Sequence, residues 1–221
     1  MAVVFQTKKQ IATEQLRHAI RIGRYQPGQP LRQNDIALDL GLSSTPVREA
    51  LSELNSAGLV VYEQHRGNRV ATLNLDRIEQ VYTARKIIEQ ETARLALPHL
   101  DREAITDLED LLIDMERHRR RQRYEDLVVA DEKFHKRIYA GSHNSFLISA
   151  IDNLWNSFPR YFMWNIEDRI DQSMIEHRDM IDALKWGDET AFLETVSDHL
   201  DHSLAAIRNH ITAQDGDLQQ I

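Results

Sequence analysis

Four residues of this 221-residue chain stand where their neighbours call for a core. In LVVADEKFHKRIY, Asp131 and His135 lie four apart and share a helix face with Leu127, Phe134 and Ile138. In SMIEHRDMIDALKWGD, His177 shares a face with Met174, Ile181 and Leu184. In FLETVSDHLDHSLAAI, His199 follows Val196 by three and precedes Leu200 on the inward stripe. A buried, unpaired carboxylate costs several kcal/mol, and neutral imidazoles also need partners. If the stripes meet, one divalent cation offsets all four costs. One carboxylate with three imidazoles suits Zn²⁺, Ni²⁺ or Mn²⁺ and does not choose among them. The metal-free alternative is an Asp131–His135 hydrogen-bonded pair in a core, with His177 and His199 each satisfied separately. The D-x-x-x-H spacing alone leaves both open. His202, three past His199, reads as a partly exposed polar residue rather than a ligand. A metal hydrolase would need a general base beside the bound water, and no HExxH-type helix supplies one.

Helices must position these groups, and the pattern is helical nearly throughout. A first helix is expected from about Lys8 to Ile22, broken by Pro27-Gly28 and Pro30. A short second helix, QNDIALDL, stops at Gly41. A third begins among Ser43, Ser44 and Thr45, whose oxygens can cap it, with Pro46 in its first turn. Val47, Leu51 and Leu54 form its inward stripe. LVVYEQHRGNRVATL then reads as two strands around a Gly67 turn. From Asp76 onward only helices are expected, at about 77–97, 102–122, 124–140, 144–164, 168–186 and 188–212.

Bulk composition bounds the partners. Net charge is −8, but residues 1–75 carry +3 and the remainder −11, so only the front can approach a phosphate backbone. Two domains follow, 1–75 and 76–215, with 216–221 a frayed tail. No apolar run reaches the roughly 18 residues of a membrane helix, and the N-terminal run is too short for a secretory signal. The absence of cysteine excludes a disulfide scaffold and fits a reducing cytoplasm. The run RHRRRQR (117–123) reads as a solvated turn between helices.

Three helices and a hairpin within the front make a winged helix-turn-helix. Its third helix enters the major groove with Ser43, Ser44, Thr45 and Arg48 nearest the bases. Arg48 faces away from the inward stripe and is placed to reach a guanine edge or a phosphate. Arg66, Asn68 and Arg69 at the wing can reach an adjacent groove. A small helical packing domain, with Arg48 paired to Glu49 or Glu53, is the alternative.

The stretch PGQPLRQNDIALDLGLSSTPVREALSELNSAGLV resembles the N-terminal signature of GntR-family transcriptional regulators, with TPVREAL its most specific part. Gln33 replaces the usual Glu, and Ser44 stands where the family most often has Arg, so an altered operator preference is implied. Arg48 matches a base-reading arginine, and His65-Arg66-Gly67 matches the wing tip. The back resembles the FCD ligand-binding domain of the FadR subfamily, an antiparallel all-α bundle. The matching segments are RKIIEQETARLA (85–96), D-x-x-FH (131–135), GSHNSFL (141–147), EHRDMIDALKWGD (176–188) and the HL of SDHL. That resemblance implies a metal on Asp131, His135, His177 and His199, and a small organic-acid or sugar-acid effector near it. It also nominates Arg85 to balance the acid's charge, against an intrahelical salt bridge to Glu89. Asn144 reads as a helix cap.

The chain is thus expected to be a homodimeric, sequence-specific DNA-binding regulator, a repressor relieved by effector, and not an enzyme. The rival expectations are a constitutive regulator with a structural metal or a metal-free bundle, and a metal-dependent hydrolase.

Overall fold

The computed structural model describes residues 6–72, 74–157, 166 and 168–218. These fall into two compact units, residues 6–72 with 156–157 and residues 74–155 with 166 and 168–218.

The first unit holds α1 (Lys8–Arg21), α2 (Gln33–Asp39), α3 (Ser44–Ser56), β1 (Val60–Glu63) and β2 (Gly67–Val70). A capping box starts α1: the Thr7 hydroxyl accepts from Gln10 N, and Thr7 N donates to Gln10 Oε1. Leu16 and Ile20 of α1 pack with Ile36, Val47, Leu51 and Leu54 in one core. Burying each such side chain contributes roughly 1.5–3 kcal/mol. The strands pair antiparallel, Val60 opposite Val70 and Glu63 opposite Gly67. Gly67 lies at φ +77°, a left-handed turn conformation that favours glycine. The PGQPL segment, expected only to break the helix, also lines the wing. Gly28 N donates to Val70 O at 2.9 Å and Leu31 N to Asn68 O at 2.8 Å. Neither proline blocks this pairing, because the N–H groups used belong to Gly28 and Leu31.

The second unit holds α4 (Leu75–Ala96), a 3₁₀ turn (Leu97–His99), α5 (Arg102–Arg120), α6 (Tyr124–Ala140), α7 (Ser145–Trp155), α8 (Arg169–Trp186) and α9 (Glu189–Leu218). Asn74, Asp101 and Asp188 cap α4, α5 and α9 through their side-chain oxygens. Asn144 does the same for α7, accepting from Phe146 N and Leu147 N at 3.2 Å. α8 ends at Gly187, φ +67°. Leu127, Phe134 and Ile138 of α6 meet Leu108, Met115, Met180 and Phe192 in a second core.

Three expectations need correction. The helix expected over 144–164 ends at Trp155, with residues 156–157 in a turn and 158–164 outside the described residues. α9 runs to Leu218, beyond the expected stop near 212. Nothing in that stretch stops it, since a single glycine costs a helix only about 1 kcal/mol and no proline follows. Finally, Ser43 is the N-cap of α3 but makes no side-chain capping hydrogen bond. The Ser44 hydroxyl is directed to Asn34 instead.

Candidate functional site

The stripe argument places Asp131 and His135 on the inner face of α6, His177 on α8 and His199 on α9. All four are buried, at 2, 4, 0 and 6% exposure. The three imidazole rings form a nearly equilateral triangle, with centroids 4.9, 4.9 and 5.0 Å apart. One nitrogen from each ring lies within 4.8 Å of the others. The Nε2 atoms of His135 and His177 approach to 3.1 Å. Asp131 Oδ1 stands 3.7 Å from His135 Nε2 and 3.6 Å from His177 Nε2.

Two imidazole nitrogens at 3.1 Å repel unless a proton or a cation lies between them. Nitrogens bound at about 2.0–2.1 Å to one zinc lie about 2.8–3.4 Å apart for bond angles of about 90–109°. The His135–His177 separation fits that range. One proton can serve one pair of rings, whereas this cluster brings a third imidazole and a carboxylate to the same place. The donor set therefore fits a divalent cation of the zinc, nickel or manganese type.

Residues that the apolar stripes do not single out surround the cluster. Glu176, 3% exposed, faces α9 rather than the triangle. Its Oε2 lies 2.7 Å from His199 Nδ1, and its Oε1 lies 2.7 Å from His202 Nδ1. His202 is half-exposed and stands behind Glu176. Arg169, also buried, directs Nη2 to Glu176 Oε2 (3.0 Å), Ser203 Oγ (2.7 Å) and His199 O (3.2 Å). Arg169, Ser173 and Glu176 repeat at i, i+4 and i+7, so they form one buried polar stripe on α8.

Arg85 belongs to a second buried network. Its Nε donates to Glu89 Oε1 at 2.6 Å, and its guanidinium lies over the Tyr82 ring, 4.6 Å from the centroid. Glu89 also accepts from Tyr139 OH at 2.8 Å and from Trp155 Nε1 at 2.9 Å. Burial works against the Arg85 charge, but Glu89 outweighs it and holds the guanidinium pKa above its ordinary value. Arg85 Nη1 is buried without a hydrogen-bond partner. The rings of Tyr139 and Trp155 lie 6.2 and 6.1 Å from that of His135, linking this network to the cluster.

In the first unit, Ser43, Thr45 and Arg48 are exposed at the start of α3, and Ser44 is half-buried. Val47, Leu51 and Leu54 point the other way, into the core. At the wing, Arg66 is exposed and lies 3.6 Å from Glu63, while Gly67, Asn68 and Arg69 are half-buried. The basic run 117–123 closes α5, with Arg117 paired to Asp114 and Arg119 to Asp171. No helix among the described residues is long and apolar enough to cross a membrane.

Comparison with known proteins accounts for both units. Residues 8–70 match the model of bacterial regulatory proteins of the gntR family, and residues 80–202 match the FCD domain. The chain is 25% identical over 199 residues to the HTH-type transcriptional regulator YdhC of Bacillus subtilis (strain 168), covering 88% of each. It is 29% identical to a probable D-xylose utilization operon transcriptional repressor of Paenarthrobacter nicotinovorans, covering 83% of this chain and 80% of that one. Among solved structures, E. coli McbR/YncC shares the fold with a TM-score of 0.82 at 20% identity, covering 94% of this chain and all of the other. These relatives are regulators and not enzymes, which sets aside the hydrolase alternative. The chain belongs to the GntR family of bacterial transcriptional regulators, with a winged helix-turn-helix DNA-binding domain followed by an FCD domain.

Proposed function

We propose that this DNA-binding regulator is a repressor controlled by a small carboxylate or sugar acid bound at a metal centre in its FCD domain. The observation that carries this reading is the convergence of His135, His177 and His199 from three helices, with Asp131 beside two of them. Asp131, His135, His177 and His199 hold the cation, and a coordination position left open accepts an oxygen of the acid. Arg85 contributes through Nη1, the nitrogen that Glu89 leaves unengaged. The Paenarthrobacter relative, named as a probable transcriptional repressor, supports the repressor sign.

In the first domain, Ser43, Ser44, Thr45 and Arg48 face the major groove, and Arg66, Gly67 and Asn68 contact DNA from the wing. Two protomers present two α3 helices to a two-fold-related operator. Residues 1–75 act as the DNA-binding domain and 76–215 as the effector and dimerisation domain, in the cytoplasm where the operator lies. Control is thermodynamic linkage. An acid that favours one arrangement of the bundle must change operator affinity by the same factor that operator changes acid affinity.

The experiment has two stages. An operator is first selected from random duplex DNA, and its affinity for zinc-loaded protein is then measured against a library of small carboxylates and sugar acids. The expected result is one compound class that shifts affinity by about 5–150-fold, with the shift lost in chelator. Unchanged affinity across the library, with metal bound, would identify a constitutive regulator instead.

A further inference from the structure

We infer that Glu176 is the positioning residue of the imidazole cluster. It fixes the tautomer of His199 so that Nδ1 carries the proton and Nε2 keeps the lone pair. The use of that lone pair rests on the metal-centre reading; the tautomer itself does not.

Two polar neighbours of His199 Nδ1 demand opposite things of it. Glu176 Oε2 at 2.7 Å can only accept, whereas Arg169 Nη2 at 3.3 Å can only donate. An unprotonated Nδ1 would set a lone pair against a carboxylate oxygen at 2.7 Å inside the protein. A protonated Nδ1 removes that repulsion and costs Arg169 little. Nη2 already has three oxygens, on Glu176, Ser203 and the His199 carbonyl, at 3.0, 2.7 and 3.2 Å. The shorter contact therefore decides, and Nδ1–H donates to Glu176.

Glu176 is itself held at both oxygens. Arg169 engages Oε2 from the interior, and His202 engages Oε1 from the rim. Ser203 donates to the His199 carbonyl at 2.7 Å, which ties the backbone of the same turn. This arrangement is poor as a stability device. Arg169 directs a single nitrogen to all its partners, while its buried Nε and Nη1 have none. Orphaned buried donors of this kind are destabilising, more so when charged. The geometry makes sense as a clamp on His199. A carboxylate behind a ligating imidazole orients the ring and strengthens the opposite nitrogen as a donor, and its loss weakens metal affinity about 10–100-fold.

The test measures zinc affinity of the full chain by chelator competition for the wild type, Glu176→Ala and Glu176→Gln. It pairs this with the His199 tautomer, read from long-range nitrogen–proton correlations in metal-free protein. The wild type is expected to show the Nδ1–H tautomer. Glu176→Ala is expected to mix the tautomers and bind zinc about 100-fold more weakly. Glu176→Gln, whose amide oxygen still accepts, is expected to keep the tautomer and lose about tenfold. If Glu176→Ala does not fold, Glu176→Gln decides alone, and wild-type affinity in that variant overturns the inference. An Nε2–H tautomer in the wild type, or an unchanged tautomer in Glu176→Ala, overturns it too. A wild-type chain that binds no zinc but shows the tautomer change contradicts the metal reading and leaves the positioning role supported.

Discussion

The side-chain amide of Gln33 on α2 donates to the backbone carbonyl of Ser44 on α3 at 2.8 Å. The Ser44 hydroxyl in turn donates to Asn34 Oδ1 at 3.3 Å. Gln33 and Ser44 are the two positions at which the sequence departs from the common GntR form. They meet at the first turn of α3, where Gln33 holds the Ser44 backbone and Asn34 accepts from the Ser44 hydroxyl. Ser44→Arg exchanges a short, half-buried side chain for one that can reach a base edge. The expected outcome is a different consensus from random-library selection, with discrimination of about 1–3 kcal/mol at the altered base pair. An unchanged consensus would show that α3 is not read from this position.

Arg48 and Arg66 are expected to differ in kind. Arg48 is exposed at the start of α3, opposite the buried Val47, Leu51 and Leu54. Arg48→Ala should weaken operator binding by about 1–3 kcal/mol and relax specificity at one position. Arg66→Ala should weaken binding to all sequences alike and lower the salt dependence by about one counterion. Both variants should keep the wild-type urea midpoint, because neither side chain is buried. Fluorescence anisotropy at several salt concentrations separates the two roles.

Arg85 and Glu89 form a buried pair whose members depend on each other. Arg85→Met leaves Glu89 with the donors of Tyr139 and Trp155 but no counter-charge. Losing one partner of such a pair destabilises by about 3–5 kcal/mol. Urea unfolding of the metal-free chain is expected to show a loss in that range. A loss below about 1 kcal/mol would mean that Arg85 contributes little to the folded bundle.

Close packing of α4 against the end of α6 sets where His135 and Tyr139 sit. Gly141 has an ordinary helical φ of −60°, so conformation does not demand glycine there. Space does: a Cβ would lie 3.2 Å from both the Cβ and the carbonyl oxygen of Ala96. Gly141→Ala is expected to cost about 1–3 kcal/mol by overpacking, measured as a lower urea midpoint with an unchanged slope.

Much of this architecture was legible because one face of each helix is apolar at helical spacing. Leu127, Phe134 and Ile138 marked the buried side of α6, and so marked Asp131 and His135 as anomalies on it. Periodicity says which face is inward but not which inward faces meet. That His177 and His199 join them came from resemblance and is a property of the bundle. Glu176 went unnoticed because adjacent helix residues point about 100° apart, so a stripe centred on His177 sets it aside. It belongs to a separate buried stripe with Arg169 and Ser173, whose polar members carry no hydrophobic signal. The pairing of PGQPL with the wing was hidden for a similar reason. Its hydrogen bonds are made by the backbone, to which residue type is nearly blind.

The most direct measurement is the metal content of untagged protein purified without chelator, for the wild type, Asp131→Ala and His177→Ala. About one equivalent of a divalent transition metal in the wild type, lost in both variants, is the result expected if the convergence of three helices is a cation site. A metal-free wild type that also takes up no added zinc, nickel or manganese would contradict it. Asp131, His135, His177 and His199 would then be a buried polar cluster held by hydrogen bonds alone.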